Sequence, residues 1–358
     1  MVRACCKTPG PCKICHFKAG CKGQPRCSCR IFLTIPERVG KKMRPRHASK
    51  GPFFGVREFF NVLVRIGFFL FFVGALGAEE RWRVGADLLY LYPSIEQSCF
   101  VTSSSAPSQP NGTSFYNAIG FHPGVSISGE YRPFRVHWSY LYGASKKLIF
   151  GPYLFPTSGF GAFTITPGFE GSAKSCISIL YQNAELLYAQ RVTDSISLCA
   201  GLNCSYFDTH ENVNYNKADE PFALSKLLFK SQIWGVGPEI ALDAVYSIYQ
   251  DILSFTAYTS CSLLVDRAHV VLSEVSPSVN PAGTFDIVGQ RSWDLMPIWY
   301  MRLGIEVKRS QLDLSLGYEC LIAQNAILNI LVDAVEDPYQ QYRNFSTQGP
   351  FFSLGVNY

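Results

Sequence analysis

The chain has 358 residues, of which 47% are hydrophobic and 14% aromatic, and its formal net charge is +5. An apolar content this high excludes general disorder. The charge is unevenly distributed, because residues 1–50 contain 13 Lys and Arg against one acid, whereas residues 79–358 contain 17 basic and 25 acidic residues, a net of 17 − 25 = −8. The main body is therefore acidic, and the basic total does not indicate a nucleic-acid partner.

A run of thirteen uncharged residues, Ile66–Ala78, separates the basic amino-terminal part from two consecutive glutamates. A transmembrane helix needs about 20 apolar residues, whereas a run of about 7–15 that ends in small residues is typical of a cleaved export signal. The small residues at the end of the run predict cleavage after Gly77 or Ala78, and the alternatives are a buried helix or an uncleaved anchor. The sequence thus predicts a signal peptide over residues 51–78 and an exported domain over residues 79–358.

The basic leader, residues 1–50, holds seven of the 13 cysteines. Cys12–His16 has the form of a c-type haem attachment site, and Cys12 and Cys15 with Cys27 and Cys29 could supply four thiolates to zinc. Haem is attached after export, however, and this motif precedes the export signal. Few apolar residues surround the four thiols that would hold zinc. The simplest interpretation is that translation begins at Met43, so that residues 1–42 are not translated.

Apolar and polar residues alternate with a period of two throughout the exported body, which predicts a mainly β architecture. In residues 82–92, for example, Trp82, Val84 and Leu88 share one face, and Arg83 and Asp87 share the other. No linker divides this part of the chain, so we expect one domain. The clear segments are 82–92, 125–131, 134–142, 176–189, 195–207, 228–246, 252–265, 298–308, 312–322 and 351–358, and the weaker ones are 162–169 and 268–275.

The composition of the two faces distinguishes a membrane barrel from a soluble sandwich. A soluble sandwich turns its apolar face inward, and its outer face is usually rich in charge. Here the polar face is mostly Gly, Ser and Asn, and aromatic residues at the strand ends suit a lipid headgroup boundary. A sheet in hydrocarbon must also close, because each unpaired backbone group costs several kcal/mol. We therefore predict an all-β, transmembrane, antiparallel up-and-down barrel of about 12 strands.

The last eight residues, FFSLGVNY, continue the alternation to the end of the sequence. We expect the last strand to close the barrel by pairing with the first. Alternating apolar residues that end in an aromatic residue also match the signal that the bacterial barrel-assembly machinery recognises in this class of protein. The residues that carry this predicted signal are Phe352, Leu354, Val356 and Tyr358.

Five segments together resemble the Legionella-type major outer membrane protein family, which chlamydia-like bacteria also contain. They are residues 82–96, 124–142, 233–246, 301–320 and 348–358. The resemblance implies an outer-membrane β-barrel with lipid and the barrel-assembly machinery as partners, acting as a porin. The Cys-rich leader departs from the family pattern.

Charged residues on the polar face are the candidates for lining the lumen, where charge sets conductance and ion preference. The alternative for each is an ion pair across the wall that only stabilises it. Because both signs occur, we predict weak ion selectivity. The candidates are Arg83, Asp87, Arg135, His137, Glu239, Asp243, Arg302, Glu306, Lys308, Asp313 and Glu319.

Six cysteines lie in the exported body, where oxidising conditions permit disulfides. Cys99 in a predicted loop and Cys320 on the outer face suit cross-links to neighbouring envelope proteins. The alternative is that these residues are small apolar members of the wall. The six candidates are Cys99, Cys176, Cys199, Cys204, Cys261 and Cys320.

The sequence contains no phosphate-binding loop, zinc-protease motif or nucleophile elbow, so we expect no enzymatic activity and no cofactor. We predict a bacterial outer-membrane porin for passive diffusion of small hydrophilic solutes, which could form homo-oligomers. The alternative is a non-conducting structural or adhesive surface barrel, disulfide-linked to the envelope. Leu89 and Leu91, on the inner face of the first strand, favour this alternative.

Overall fold

The computed structural model describes residues 3–6, 28–32, 82–95, 100–105, 112–131, 133–156, 169–218, 223–250, 252–276, 283–332 and 338–358. The predicted signal peptide, most of the leader and Cys99 lie outside these ranges. No helix within them is long and apolar enough to span a membrane. The strands are β1 (Arg3–Cys6), β2 (Ser28–Phe32), β3 (Trp82–Ile95), β4 (Val101–Ser103), β5 (Thr113–Phe115), β6 (His122–Tyr131), β7 (Phe134–Pro156), β8 (Phe169–Arg191), β9 (Ile196–Lys217), β10 (Ala223–Tyr249), β11 (Leu253–Ser276), β12 (Gly283–Arg309), β13 (Leu312–Val332) and β14 (Pro338–Asn357).

Ten of these strands close into a ring in the order β3, β6, β7, β8, β9, β10, β11, β12, β13 and β14, which returns to β3. Every neighbouring pair in the ring is antiparallel. The last strand closes the ring on the first, and the Trp82 and Tyr358 backbones exchange N–H···O bonds of 3.1 and 2.8 Å. The predicted closed antiparallel barrel is therefore confirmed.

The ring of ten strands is close to the expected twelve, and the difference comes from strand length. The weaker predicted segment 268–275 is the second half of β11, which is 24 residues long. The other weaker segment, 162–169, reaches the described residues only at Phe169, the first residue of β8. Several barrel strands are thus about twice as long as the segments that alternation alone marked out.

Four shorter strands lie outside the ring. β4 pairs with β5 and with the last residues of β7, so it covers one end of the barrel. β1 pairs with β2, and β2 runs parallel to residues 284–288 of β12.

The two ends of the barrel differ in their connections. At one end, β6–β7, β8–β9, β10–β11 and β12–β13 are joined by turns of two to four residues. At the other end the connections are longer. The longest is the segment between β3 and β6, which contains β4 and β5. Outer-membrane barrels have short periplasmic turns and longer extracellular loops. We call these the turn end and the loop end.

The polarity of the two barrel faces reverses along the strands, and β10 illustrates this. In the turn-end half Ile240, 64% exposed, faces outward and Glu239, 1% exposed, faces inward. In the loop-end half Lys230 is on the outer face, whereas Phe229 and Ile233 are buried inside. The turn-end half therefore has the polarity of a membrane barrel, and the loop-end half has that of a soluble barrel.

The apolar outer band has the height of a membrane. Along β10 it runs from Trp234 to Tyr246, thirteen residues and therefore twelve steps along the strand. At about 3.4 Å per residue and a tilt of about 45°, these residues rise about 29 Å along the membrane normal. The hydrocarbon core of a bilayer is about 30 Å thick. Residues 223–233 of the same strand must then project beyond the membrane at the loop end.

One seam of the wall is incomplete at the loop end. The β12–β13 ladder ends at Ile298 and Ala323. Just beyond, Asn325 has φ of 57°, a conformation that asparagine tolerates, and the β13–β14 register shifts. The backbone N–H of Leu328 then donates to Ser231 Oγ of β10 at 3.2 Å. The loop-end part of β13 thus leans across the interior instead of continuing the wall.

Candidate functional site: the barrel interior

A cavity of about 720 Å³ occupies the interior at the turn end. Its lining combines basic, acidic and hydroxyl side chains from most strands of the ring. Its volume lies within the range of about 300–1,000 Å³ that is typical of small-molecule pockets. The membrane-spanning part of the barrel therefore contains polar space.

One group of ion pairs lies on the side of β3, β12 and β13. Arg83 of β3 pairs with Glu306 of β12, and its Nε lies 3.2 Å from Asp313 Oδ2 of β13. Arg302 of β12 donates to Asp87 Oδ2 of β3 at 2.6 Å. β12 is three positions from β3 in the ring and β13 is two, so these contacts cross the interior rather than join neighbouring strands.

The Arg302 guanidinium also stacks on an aromatic ring of β14. Its central carbon lies 3.6 Å from the centroid of Phe351, whose side chain is only 2% exposed. A cation over an aromatic face is stabilised by the ring quadrupole. Arg302 is therefore held by both a carboxylate and a ring at the top of the cavity.

A second group of ion pairs lies on the opposite side of the cavity. Arg135 of β7 donates to Asp243 Oδ2 of β10 at 2.5 Å and lies 3.5 Å from Glu130 of β6. β7 and β10 are also three positions apart in the ring. The cavity is therefore flanked by two cross-strand charge groups, each holding both signs.

A layer of polar side chains lies above the cavity, towards the loop end. Asn183 donates to Glu185, and Asn203 donates to Glu239 Oε2 at 3.2 Å. His137 Nδ1 lies 3.6 Å from Glu185 Oε2. Both glutamates are at most 7% exposed, so this layer holds acidic groups away from bulk water.

An apolar layer closes the interior above the polar one. Phe207 of β9 and Phe345 of β14 stand on opposite strands of the ten-membered ring, yet their ring centroids are only 5.4 Å apart. Tyr181 of β8 contacts both, at 5.0 and 5.6 Å. The three side chains are at most 4% exposed. Aromatic rings thus meet across the full diameter. Other members of the same buried cluster are Ile179, Ile233, Leu264, Met296, Ile298, Ile327 and Leu328.

The structure places all eleven predicted lumen residues on the inner side of the barrel. Eight of them line the cavity. Of the other three, Glu239 lies in the polar layer, Asp313 pairs with Arg83, and Glu319 accepts a 2.9 Å hydrogen bond from Tyr300. That solutes pass these residues stays a prediction. The eight are Arg83, Asp87, Arg135, His137, Asp243, Arg302, Glu306 and Lys308.

Five of the six candidate cysteines of the exported body lie in the described residues, and they are free thiols. Cys199 is fully buried next to Leu187 and Ala241 on the inner wall. Cys320 lies opposite Met301, whose side chain is on the outer face, which agrees with the predicted orientation. Cross-links to other proteins stay a prediction. The remaining three are Cys176, Cys204 and Cys261.

Sequence reasoning missed the apolar layer, although Leu89 and Leu91 were a partial signal. The inward-facing residues of β10 include Leu227, Phe229 and Ile233 in the loop-end half and Glu239 in the turn-end half. The available signal was that every second residue of one strand changes from apolar to polar while the alternation continues without a break. Among the described residues no group of three or more His, Cys, Asp or Glu could hold a metal ion.

A closed antiparallel barrel with an apolar outer band and a polar interior is an outer-membrane β-barrel. Its carboxyl-terminal strand carries the four predicted assembly-signal residues on the face that includes Phe352 and Leu354, which are 45% and 43% exposed. Whether the assembly machinery recognises them stays a prediction.

The family model described as Legionella pneumophila major outer membrane protein precursor matches residues 77–358. The chain therefore belongs to the Legionella major outer membrane protein family, as the sequence segments suggested, and it is a protein of the bacterial outer membrane.

Solved structures with a similar course of chain share little sequence with it. The outer membrane protease OmpT from Escherichia coli is 7% identical, over 78% of this chain and 96% of that one, with a TM-score of 0.40. The translocator domain of autotransporter NalP from Neisseria meningitidis is 11% identical, over 84% and 97%, with a TM-score of 0.35. The Ralstonia pickettii toluene transporter TbuX is 10% identical, over 79% and 90%, with a TM-score of 0.26. No curated protein matches the chain.

Proposed function

We propose that the protein is a porin that allows passive diffusion of small hydrophilic solutes, with the charged cavity as the turn-end part of the permeation path. The observation that carries this proposal is the cavity of about 720 Å³ within the membrane-spanning part of the barrel. Ionisable groups at membrane depth are costly and usually mark a pathway or a site. Space lined by them is suited to hydrated solutes rather than to lipid.

The apolar layer is the constriction of this path. An apolar constriction can stop permeation by excluding water without any charge barrier. In this conformation Phe207 and Phe345 are in contact, so solutes pass only when these rings move apart. The channel in this proposal is therefore closed in the conformation described and opens by side-chain or strand movement at this layer.

The second candidate is a non-conducting surface barrel, and the same layer favours it. Ten-stranded barrels are close in size to the eight-stranded ones whose interiors side chains fill, whereas porins with 16–18 strands keep an aqueous channel. A layer packed across the whole diameter fits a barrel whose role is structural or adhesive. In that case the cavity is a dead-end pocket that opens at the turn end.

Planar-bilayer conductance distinguishes the two candidates. The barrel formed by residues 79–358 is compared with the variant Phe207→Ala/Phe345→Ala, which removes two of the three rings. A porin gives discrete channels in the unmodified barrel and larger or longer-lived ones in the variant. If the unmodified barrel gives no channels over a range of voltages and the variant does, the protein is a non-conducting barrel that the apolar layer seals.

Ion preference tests whether the cavity lies on the path. Replacement of Arg135 and Arg302 by glutamate exchanges two positive charges of the cavity for two negative ones and leaves Asp243 and Asp87 without their partners. The reversal potential in a salt gradient should then shift towards cation selectivity. An unchanged reversal potential in a conducting barrel means that the current bypasses this cavity. Arg309→Glu, at the exposed turn end, is a control for a charge change outside the cavity.

A further inference from the structure

Five basic side chains lie on the outer face of the loop-end half of the barrel, and we call this surface the cationic face. Their orientation follows from the strand alternation, because the residues next to them, such as Leu227, Phe229 and Ala268, are buried inside. They come from four neighbouring strands, β7, β8, β10 and β11, with β9 between β8 and β10. The five are Lys146, Lys174, Lys226, Lys230 and Arg267.

The described residues do not neutralise the positive charge of this face. Within the described part of the chain, none of the five basic groups makes an ion pair. The acid nearest the centre of the face, Asp208, lies 3.0 Å from His210 Nε2 and accepts a 3.1 Å hydrogen bond from Gln232. The other acid in the described part of this face, Glu170, is the second residue of β8, near the rim of the loop end. The face therefore has an excess of positive charge.

The cationic face begins at the outer boundary of the apolar band. Arg267 lies opposite Trp234 in the β10–β11 register, and Tyr206 lies opposite Trp234 on the β9 side. Aromatic side chains of this kind mark the interface between hydrocarbon and headgroups. Lys230 and Lys226 follow four and eight residues farther along β10. At about 3.4 Å per residue and a tilt of about 45°, they stand about 10 and 19 Å above the aromatic pair.

Two of these basic groups flank the same pair of side chains. In the β10–β11 register Lys230 lies one outward position to one side of the Gln232–His269 pair, and Arg267 lies one outward position to the other side. Two cations on one face, with the Gln232 amide and the His269 imidazole between them, form a site for a single anion. Lys226 continues the positive charge along β10 towards the loop end, and Lys174 and Lys146 continue it around the barrel on β8 and β7.

Among the described residues, the opposite side of the barrel lacks this charge. On β3 and β14 the outward side chains of the loop-end half are polar but uncharged, for example Tyr92, Ser94, Asn344 and Gln348. A surface that only needed to be soluble would not require this asymmetry. The placement of the basic side chains on one side indicates that this side of the barrel binds an anionic partner.

We propose that the cationic face binds the phosphate groups of glycolipids in the outer leaflet of the outer membrane. That leaflet is made of phosphorylated glycolipid, so its phosphates and acidic sugars stand at and above the height of Arg267 and Lys230. Lysine binds phosphate as a point charge, and arginine can bind it through two parallel hydrogen bonds. Bound glycolipid covers one side of the projecting barrel and orients the protein in the leaflet.

The test uses the full-length chain folded in neutral detergent micelles, and diphosphoryl lipid A as the probe. Affinity is measured from the change in intrinsic tryptophan fluorescence and from the shift of the thermal unfolding midpoint. Lys230→Gln/Arg267→Gln is the test variant, and Arg309→Gln at the turn end is the matched control. One basic residue at an anionic membrane surface contributes about fivefold in affinity, so the test variant should bind about 25-fold more weakly. The control should bind like the unmodified chain.

Three results would overturn the proposal. They are equal affinity of the test variant and the unmodified chain, equal affinity for lipid A from which the phosphates have been removed, and displacement of lipid A by inorganic phosphate alone. The last would assign the face to a free anion instead of a lipid headgroup. If the test variant does not fold, the unmodified chain still decides the question. Its affinity for diphosphoryl lipid A must exceed that for the dephosphorylated lipid and must fall as ionic strength rises.

Discussion

Replacement of Phe207 by alanine tests whether the barrel interior is closed by packing across its diameter. Phe207 is 1% exposed and contacts Tyr181 and Phe345, which come from β8 and from the opposite strand β14. Phe→Ala in a close-packed core costs about 3–5 kcal/mol, because the transfer free energy of the ring is lost and a cavity remains. Aromatic pairs add about 0.5–1.5 kcal/mol beyond burial. We therefore expect Phe207→Ala to lower the free energy of unfolding by about 4 kcal/mol.

Equilibrium urea unfolding of the folded barrel in micelles, followed by tryptophan fluorescence, measures this change. Phe150→Ala is the matched control, since Phe150 is 72% exposed on the outer face of β7 and its removal should change stability by no more than about 0.5 kcal/mol. Phe345→Ala should cost about as much as Phe207→Ala. The double variant should lose less than the sum of the two, because the rings are in contact.

A loss below about 1 kcal/mol for Phe207→Ala, or a strictly additive double variant, would refute the reasoning. Either result would mean that the two rings do not meet across the interior. The apolar layer would then be neither a constriction nor a seal, and the interior would be open at this level.

Three other predictions concern the wall and the cavity. Arg302→Gln should lower the free energy of unfolding by about 3–5 kcal/mol, because Asp87, which is 5% exposed, is left as an unpaired charge; adding Asp87→Asn should restore most of this loss in the same urea experiment. Gly237→Ala should cost at least about 2 kcal/mol, since the new methyl group would stand 2.1 Å from a carbonyl oxygen of β11; wild-type stability would show that the two strands are farther apart. A membrane-impermeant maleimide should add mass to the folded protein at the half-buried, outward-facing Cys176 but not at the fully buried Cys199, and equal labelling would contradict the inner position of Cys199.

The fold class could be predicted because alternation is a local property. Each residue of a strand points away from its neighbours, so a segment such as residues 312–322 shows its two faces without any knowledge of its partners. Pairing of the last strand with the first follows from the need to satisfy every backbone group in the membrane. The structure has this pairing between β14 and β3.

The strand number was harder to predict because some strands continue past the membrane. At the loop end the period of two persists, but the outer side chains become polar and the inner ones apolar, as in Lys230 and Ile233 of β10. A short segment of either kind looks like a strand in isolation. Only the continuous ladder shows that residues 252–265 and 268–275 belong to the single strand β11.

For the candidate site, too, the sequence predicts some features and not others. That Arg302 and Asp87 face inward could be predicted from their own strands. Their 2.6 Å contact could not be predicted, because the two residues are 215 positions apart in the sequence and meet only when the ring has closed with one particular register. A one-residue shift in the register of β3 or of β12 would turn the side chain on that strand to the lipid and break the contact.

The sequence by itself determined that the chain forms amphipathic strands, that one face of their turn-end halves suits lipid, and that the last strand can close the ring, since each of these depends on neighbouring residues. Only the tertiary structure decided how wide the ring is and what fills it. Phe207 and Phe345 come from strands at opposite points of the barrel, and their contact depends on strand number and register together. These are properties of the closed ring as a whole, which no single strand contains.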